Sequence, residues 1–193
     1  MDLKKYIRSI PDYPKKGILF RDITTLIKDE KAFKESIDQI CKIAKGMKFE
    51  KVAAIESRGF VFASAVAYNL SKSFILLRKK DKLPAERLSQ DFELEYGKAT
   101  IEIHKDSIKK NDSVLIIDDL IATGGTAEAA AKLVKISEGN VAGFIFVINL
   151  FFLLNKNTAK PSELAIVKTS ESNPIFKEKG KLLAIISFTV LPV

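Results

Sequence analysis

Adjacent acids followed closely by a glycine turn make a specific chemical pairing, and the run VLIIDDLIATGGT from Val114 to Thr126 holds both. Asp118 and Asp119 are neighbours, and two carboxylates so close are costly to keep ionised unless hydroxyl donors, a cation or water meet them. The vicinal hydroxyls of a sugar are such donors. The turn that follows, Ala122, Thr123, Gly124, Gly125 and Thr126, supplies the complement. Its glycines permit positive φ and close backbone approach, so several amides can converge on an anion where the next helix starts. The helix dipole contributes ~0.3–1 kcal/mol there, against ~1.5–3 kcal/mol for each charge-assisted hydrogen bond, so amides and hydroxyls dominate. No Lys follows the glycines and their spacing is not G-x-G-x-x-G, which argues for a sugar monophosphate and against a nucleoside triphosphate. The bland alternative is an acidic turn and a Thr-capped helix with no ligand.

Positioning these groups needs a strand ending at the acids and a helix beginning after the glycines. Val114 to Ile117 suits a parallel strand covered on both faces, and a helix is expected to open at Ala127. The same order recurs upstream: Val52 to Ile55 as a strand, Glu56-Ser57-Arg58-Gly59 as a loop, Phe60 to Leu70 as a helix. Ser57 and the planar fork of Arg58 would there face an anion, because a guanidinium donates bidentately and stays charged. In a doubly wound sheet two such loops line one crevice at the carboxyl ends of the strands. Further expectations are a helix from Ala32 to Lys45, a strand from Phe74 to Arg78 and a polar excursion from Lys79 to Asp91. A hairpin of Phe92–Tyr96 with Thr100–His104 should turn at Gly97, and later strands fall near Val141–Ile148 and Leu183–Val190. Ile10 to Phe20, punctuated by Pro11, Pro14 and Gly17, should be irregular. The predicted fold is α/β, a mainly parallel twisted sheet flanked by helices, drawn as one domain over 1–193.

Composition narrows the class. With 32 Lys plus Arg against 24 Asp plus Glu, the formal charge is +8 over 193 residues. No RNP-like aromatic motif accompanies it, so the balance is read as serving anionic small substrates and not nucleic acid. Cys41 is the single cysteine and lies on the apolar stripe Phe33, Ile37, Ile40, Cys41, Ala44, which suits packing and a reducing cytosol. The apolar stretch Val141–Leu154 is interrupted by Asn149 and is shorter than the ~20 residues of a spanning helix, so no membrane insertion is expected. His104, the sole histidine, is expected to make a structural hydrogen bond.

At Val114–Thr126 the chain resembles the type I phosphoribosyltransferases, whose signature is an apolar strand, two acids and a T-G-G-T-like loop. Gly17–Asp22, Ile10–Pro14, Glu56–Phe60, Lys82–Glu86 and Leu94–Gly97 narrow the likeness to the adenine-using branch of that family. The resemblance implies transfer of 5-phosphoribosyl from phosphoribosyl pyrophosphate to adenine, giving AMP and pyrophosphate in purine salvage. It implies that Ala122–Thr126 hold the 5-phosphate and that Asp118 and Asp119 hold the ribose hydroxyls. Ser57, Arg58, Arg78 and Lys82 are expected near pyrophosphate, Phe20 against the purine, and the backbone around Leu19 and Arg21 along its edge. Glu95, helping proton transfer at the base, and Tyr96 would approach the reaction centre from a lid. It further implies Mg²⁺ held through substrate and water with no direct protein ligand, a homodimer, an N-terminal hood over about 1–30 and a lid over about 79–104.

Two rivals remain at this level: transfer to another purine base, and a non-catalytic RNA-binding regulator on the same fold. There are also departures from the family pattern. Ala63 stands where Gly is usual, Arg87 and Asp91 are atypical of the lid, Asn149 replaces a common acid, and the likeness fades after Leu150.

Overall fold

The structure is a computed structural model that describes residues 1–94, 97–150, 166–168 and 182–185. A 3-10 turn, Leu3–Tyr6, leads into β1 (Arg8–Ile10), which pairs antiparallel with β2 (Phe20–Asp22), matching Arg8 to Asp22 and Ile10 to Phe20. The Pro- and Gly-rich segment expected to be irregular is thus closed at its base by a two-stranded ribbon. α1 (Thr24–Lys28) follows, then α2 (Glu30–Ala44). Asp29 starts α2 by accepting from the amides of Lys31 and Ala32, the role in which a short acidic side chain suits a helix N-cap. Ile37, Ile40, Cys41 and Ala44 fall on its buried stripe. Burial raises the Cys41 thiol pKa, which fits packing and not thiolate chemistry.

The main sheet contains β3 (Lys51–Ile55), β4 (Ser73–Lys79), β5 (Arg87–Leu94), β6 (Gly97–His104), β7 (Ser113–Ile121), β8 (Asn140–Asn149), β9 (Ile166–Lys168) and β10 (Leu182–Ile185). Their order is β5-β6-β4-β3-β7-β8-β10-β9. β4, β3, β7, β8 and β10 run parallel; the β5–β6 hairpin and β9 are antiparallel additions. From β3 the chain crosses through α3 (Arg58–Asn69) to β4, on one side; from β7 it crosses through α4 (Gly125–Ile136) to β8, on the other. β3 and β7 are neighbours, so the two connections diverge between them and their loops flank the switch point where open α/β sheets bind ligands.

Alternation along the central strands divides the core. Val52, Ala54, Leu115 and Ile117 pack with α2, α3 and the hood, whereas Ala53, Ile55, Val114 and Ile116 pack with α4, β4 and β6. Fully buried Phe62 and Leu133 anchor the two layers, each burial worth ~1.5–3 kcal/mol before entropy is counted.

Several boundaries differ from expectation. β7 does not stop at Ile117 but carries both acids within it. β5 begins at Arg87, inside the segment expected to be a polar excursion, because Leu88, Gln90 and Phe92 alternate with exposed Arg87, Ser89 and Asp91. α4 opens at Gly125, before Ala127. The last expected strand is present as Leu182–Ile185, parallel to β8; its extension to Val190 lies outside the described residues.

Candidate active site

Strand β7 delivers Asp118 and Asp119 to the switch point with relative exposures of only 9% and 6%. Burial raises both carboxyl pKa values; for Asp118 the neighbouring Asp119 charge adds to the rise, while the Asp119 amide, 2.9 Å from Asp118 Oδ1, opposes it. Arg58, the first residue of α3, places Nε 2.8 Å from Asp119 Oδ2. Although the ions are close, Asp119 Oδ2 receives no directed hydrogen bond among the described residues. Such a buried acceptor suits the hydroxyl of an arriving ligand.

The neighbouring residue makes this approach feasible. A Cβ on Gly59 would fall 2.6 Å from Asp118 Oδ1 and 3.2 Å from the Ile117 carbonyl, so only glycine lets α3 begin against the acids. The Arg58 guanidinium also lies over the Phe20 ring, 5.8 Å from its centroid, and Tyr13 meets the same ring edge-on at 5.2 Å. Hood, β3 loop and β7 thereby meet at one place. Leu19 is 37% exposed beside Phe20, while Arg21 is buried, donates to Ser9 Oγ and has its pKa lowered by burial.

Beyond the acids, Gly124 takes φ +88° and forms the N-cap of α4, with its carbonyl accepting from Glu128. Ala122, Gly125 and Thr126 are half-buried and Thr123 is exposed. The amides of the first helical turn lack intrahelical acceptors, which leaves them for an anion. Strand β5 comes down on this turn: a Cβ on Gly125 would stand 2.8 Å from the Glu93 carbonyl.

At the loop after β3, Ser57 is exposed and makes no side-chain cap to α3. Glu56 accepts from Arg78 Nε at 3.2 Å and from the Lys79 amide at 3.0 Å. Burial pushes the Glu56 pKa up, but these donors outweigh it and hold the carboxylate below its usual range. Arg78 also donates to the Lys82 carbonyl at 3.0 Å, so it braces two loops, while Lys82 itself is exposed. Glu95 and Tyr96 lie outside the described residues. The hydrogen bond expected of His104 is absent at Nε2, which is buried without a partner among the described residues. Glu56 and Tyr13 were not singled out from the sequence, although each sits in a segment that was.

A phosphoribosyl transferase domain model matches residues 24–181, spanning both strand–loop–helix units. The chain belongs to the phosphoribosyl transferase family. Within that family it is similar to an adenine phosphoribosyltransferase of Pelagibacter ubique (strain HTCC1062), 74% identical over 153 residues, 79% of this chain and 87% of the relative. A solved adenine phosphoribosyltransferase from Thermoanaerobacter pseudethanolicus matches with TM-score 0.80 and 43% identity, covering 96% of each chain. The Saccharomyces cerevisiae enzyme, complexed with adenine and an imino-altritol bisphosphate, matches with TM-score 0.74 and 35% identity, over 82% of this chain and 92% of that one. The family model extends past Leu150, where likeness in the motifs alone had faded. These are the relations of an adenine phosphoribosyltransferase-type pentosyltransferase, with the mostly parallel sheet the motifs predicted.

Proposed function

We propose that this chain transfers 5-phosphoribosyl from phosphoribosyl pyrophosphate to adenine, giving AMP and pyrophosphate in purine salvage. The observation that carries the site assignment is the meeting of Phe20, Arg58 and Asp119 beside the Gly124 turn. In this reading Ala122–Thr126 hold the 5-phosphate and Asp118 and Asp119 accept from the ribose hydroxyls, one of which fills the open acceptor of Asp119. Adenine lies on Phe20, with the backbone of Leu19 and Arg21 along its edge. A ring stack holds any flat base, so edge hydrogen bonds supply the selectivity.

During transfer the bond from the anomeric carbon to a pyrophosphate oxygen breaks as the purine nitrogen bonds to that carbon and gives up its proton, for which Glu95 is the acceptor in this reading. The ribose becomes oxocarbenium-like between the two acids, and negative charge collects on pyrophosphate beside Ser57, Arg58, Arg78 and Lys82. Glu95 and Tyr96, which lie outside the described residues, would complete the site in this reading. Among the described residues no group of three or more His, Cys, Asp or Glu side chains could cage a metal. The acid pair fits a cation bound mainly through substrate oxygens and water, and Mg²⁺ so bound supplies charge neutralisation at pyrophosphate. We also infer a homodimer, to which the exposed Val61 and Tyr68 on one side of α3 could contribute, and a cytosolic setting; among the described residues no helix is long and apolar enough to cross a membrane.

Pyrophosphate release measured with phosphoribosyl pyrophosphate, Mg²⁺ and a panel of bases tests the proposal. Adenine should be strongly preferred; preference for hypoxanthine or guanine would select the other-purine reading, and no release with any base would defeat both.

A further inference from the structure

Glu102 on β6 has no part in the site as described, yet it is among the most buried acids of the molecule, 2% exposed. A carboxylate so placed must be satisfied or neutralised. Its Oε2 accepts from the Asp81 amide at 3.0 Å, and its Oε1 from Arg87 Nε and Ser89 Oγ, each at 3.2 Å. These donors come from the two ends of the loop between β4 and β5. Arg87 then grips the loop from within, reaching the Leu83 carbonyl at 3.2 Å and Asp81 Oδ1 at 2.9 Å.

Asp81 is held at φ +63°, a left-handed conformation that costs a residue with a Cβ and is kept where its surroundings over-determine it. Here the over-determination is Glu102 on the amide and Arg87 on the side chain. Glu102 also stands directly across the β4–β6 ladder from Arg78, the residue that holds the Lys82 carbonyl and Glu56. One buried carboxylate therefore fixes the turn that presents Lys79, Lys80 and Lys82.

We propose that Glu102 is a positioning residue for the pyrophosphate end of phosphoribosyl pyrophosphate, acting through Asp81 and Arg87 on the cationic loop. The assignment rests on the proposed reaction for its substrate but not for its effect on the loop. In the full chain, Glu102→Gln, which keeps the shape and one acceptor, should raise KM for phosphoribosyl pyrophosphate several-fold and leave KM for adenine within about twofold. Glu102→Ala should raise the first about tenfold or more. Arg87→Met, which removes the partner instead, should give the same selective rise. Independently of turnover, amide hydrogen exchange at Asp81 should accelerate at least tenfold in Glu102→Ala and less in Glu102→Gln. Equal rises in both KM values, or unchanged exchange at Asp81, would overturn the proposal. Accelerated exchange at Asp81 in Glu102→Ala, alongside a wild-type chain that releases no pyrophosphate, would instead sink the reaction and leave the loop anchor standing.

Discussion

The two strand–loop–helix crossings share a design and oppose each other in charge. After β3, Glu56 is surrounded by donors, Arg78 and the Lys79 amide, and its pKa is held down. At the acids of β7 the described donors are fewer: Asp118 accepts from the Asp119 amide, Asp119 has Arg58 of the other crossing beside it, and burial raises both pKa values. Asp22 in the hood sides with Glu56: Thr24 and Arg8 lower its pKa to about 2. Partnered acids build the frame, and acids left short of partners wait for a ligand.

Asp119→Asn breaks the contrast most severely. On the proposed reading it removes the charge that would face the ribose and should lower kcat by roughly 10²–10³-fold, the loss seen when one preorganised charge-stabilising group is deleted. The fold should gain, because a carboxyl with a raised folded pKa is stabilised only at low pH and loses that advantage as pH rises through the folded value. Thermal melting at pH 5 and pH 8 checks this: the melting temperature of the variant should exceed wild type by more at pH 8.

Gly59→Ala sharpens the contrast, since the added Cβ would meet Asp118 Oδ1 at 2.6 Å and drive the crossings apart. A displacement of this order should cost about 100-fold in kcat/KM, measured by pyrophosphate release, with secondary structure retained by circular dichroism.

Asp22→Asn tests the partnered class. A carboxylate with a depressed pKa stabilises the fold above its unfolded value of 3.8 and ceases to do so as pH falls towards about 2. The variant should lose about 2 kcal/mol in urea unfolding at pH 7 and match wild type near pH 2. The smallest effect is expected at Phe20→Leu, which keeps the apolar surface but loses the ring. KM for adenine should rise ~3–10-fold in steady-state assays, and KM for phosphoribosyl pyrophosphate should hold.

Much of this arrangement was legible in the sequence because apolar period and loop chemistry are local. The runs 52–55 and 114–117 announce covered strands, and Gly124-Gly125 announces a tight turn into a helix. The placement of the acids, the Gly124 turn and Arg58 at the ends of these strands was readable for that reason. What escaped was non-local pairing. Nothing in Glu102 or Arg87 as letters says that they meet across a hairpin, and the charged face of β5 concealed its alternation. Nor could spacing show that Arg58 would face Asp119 while also lying over Phe20, a meeting that depends on the order of strands.

The division of the apolar interior into two layers bears on how substrate preferences can change. The hood is rooted through Leu3, Ile7 and Ile23 in the layer beneath α2 and α3, whereas the phosphate turn and the β5–β6 hairpin are rooted through Ala127, Ala130, Leu88 and Phe92 in the layer beneath α4. On the proposed reading, recognition of the base and of the sugar phosphate would thus have separate foundations, joined along the β3–β7 seam. Drift in one foundation would then retune one substrate and spare the other, so a lineage could exchange its purine while inheriting its sugar chemistry intact.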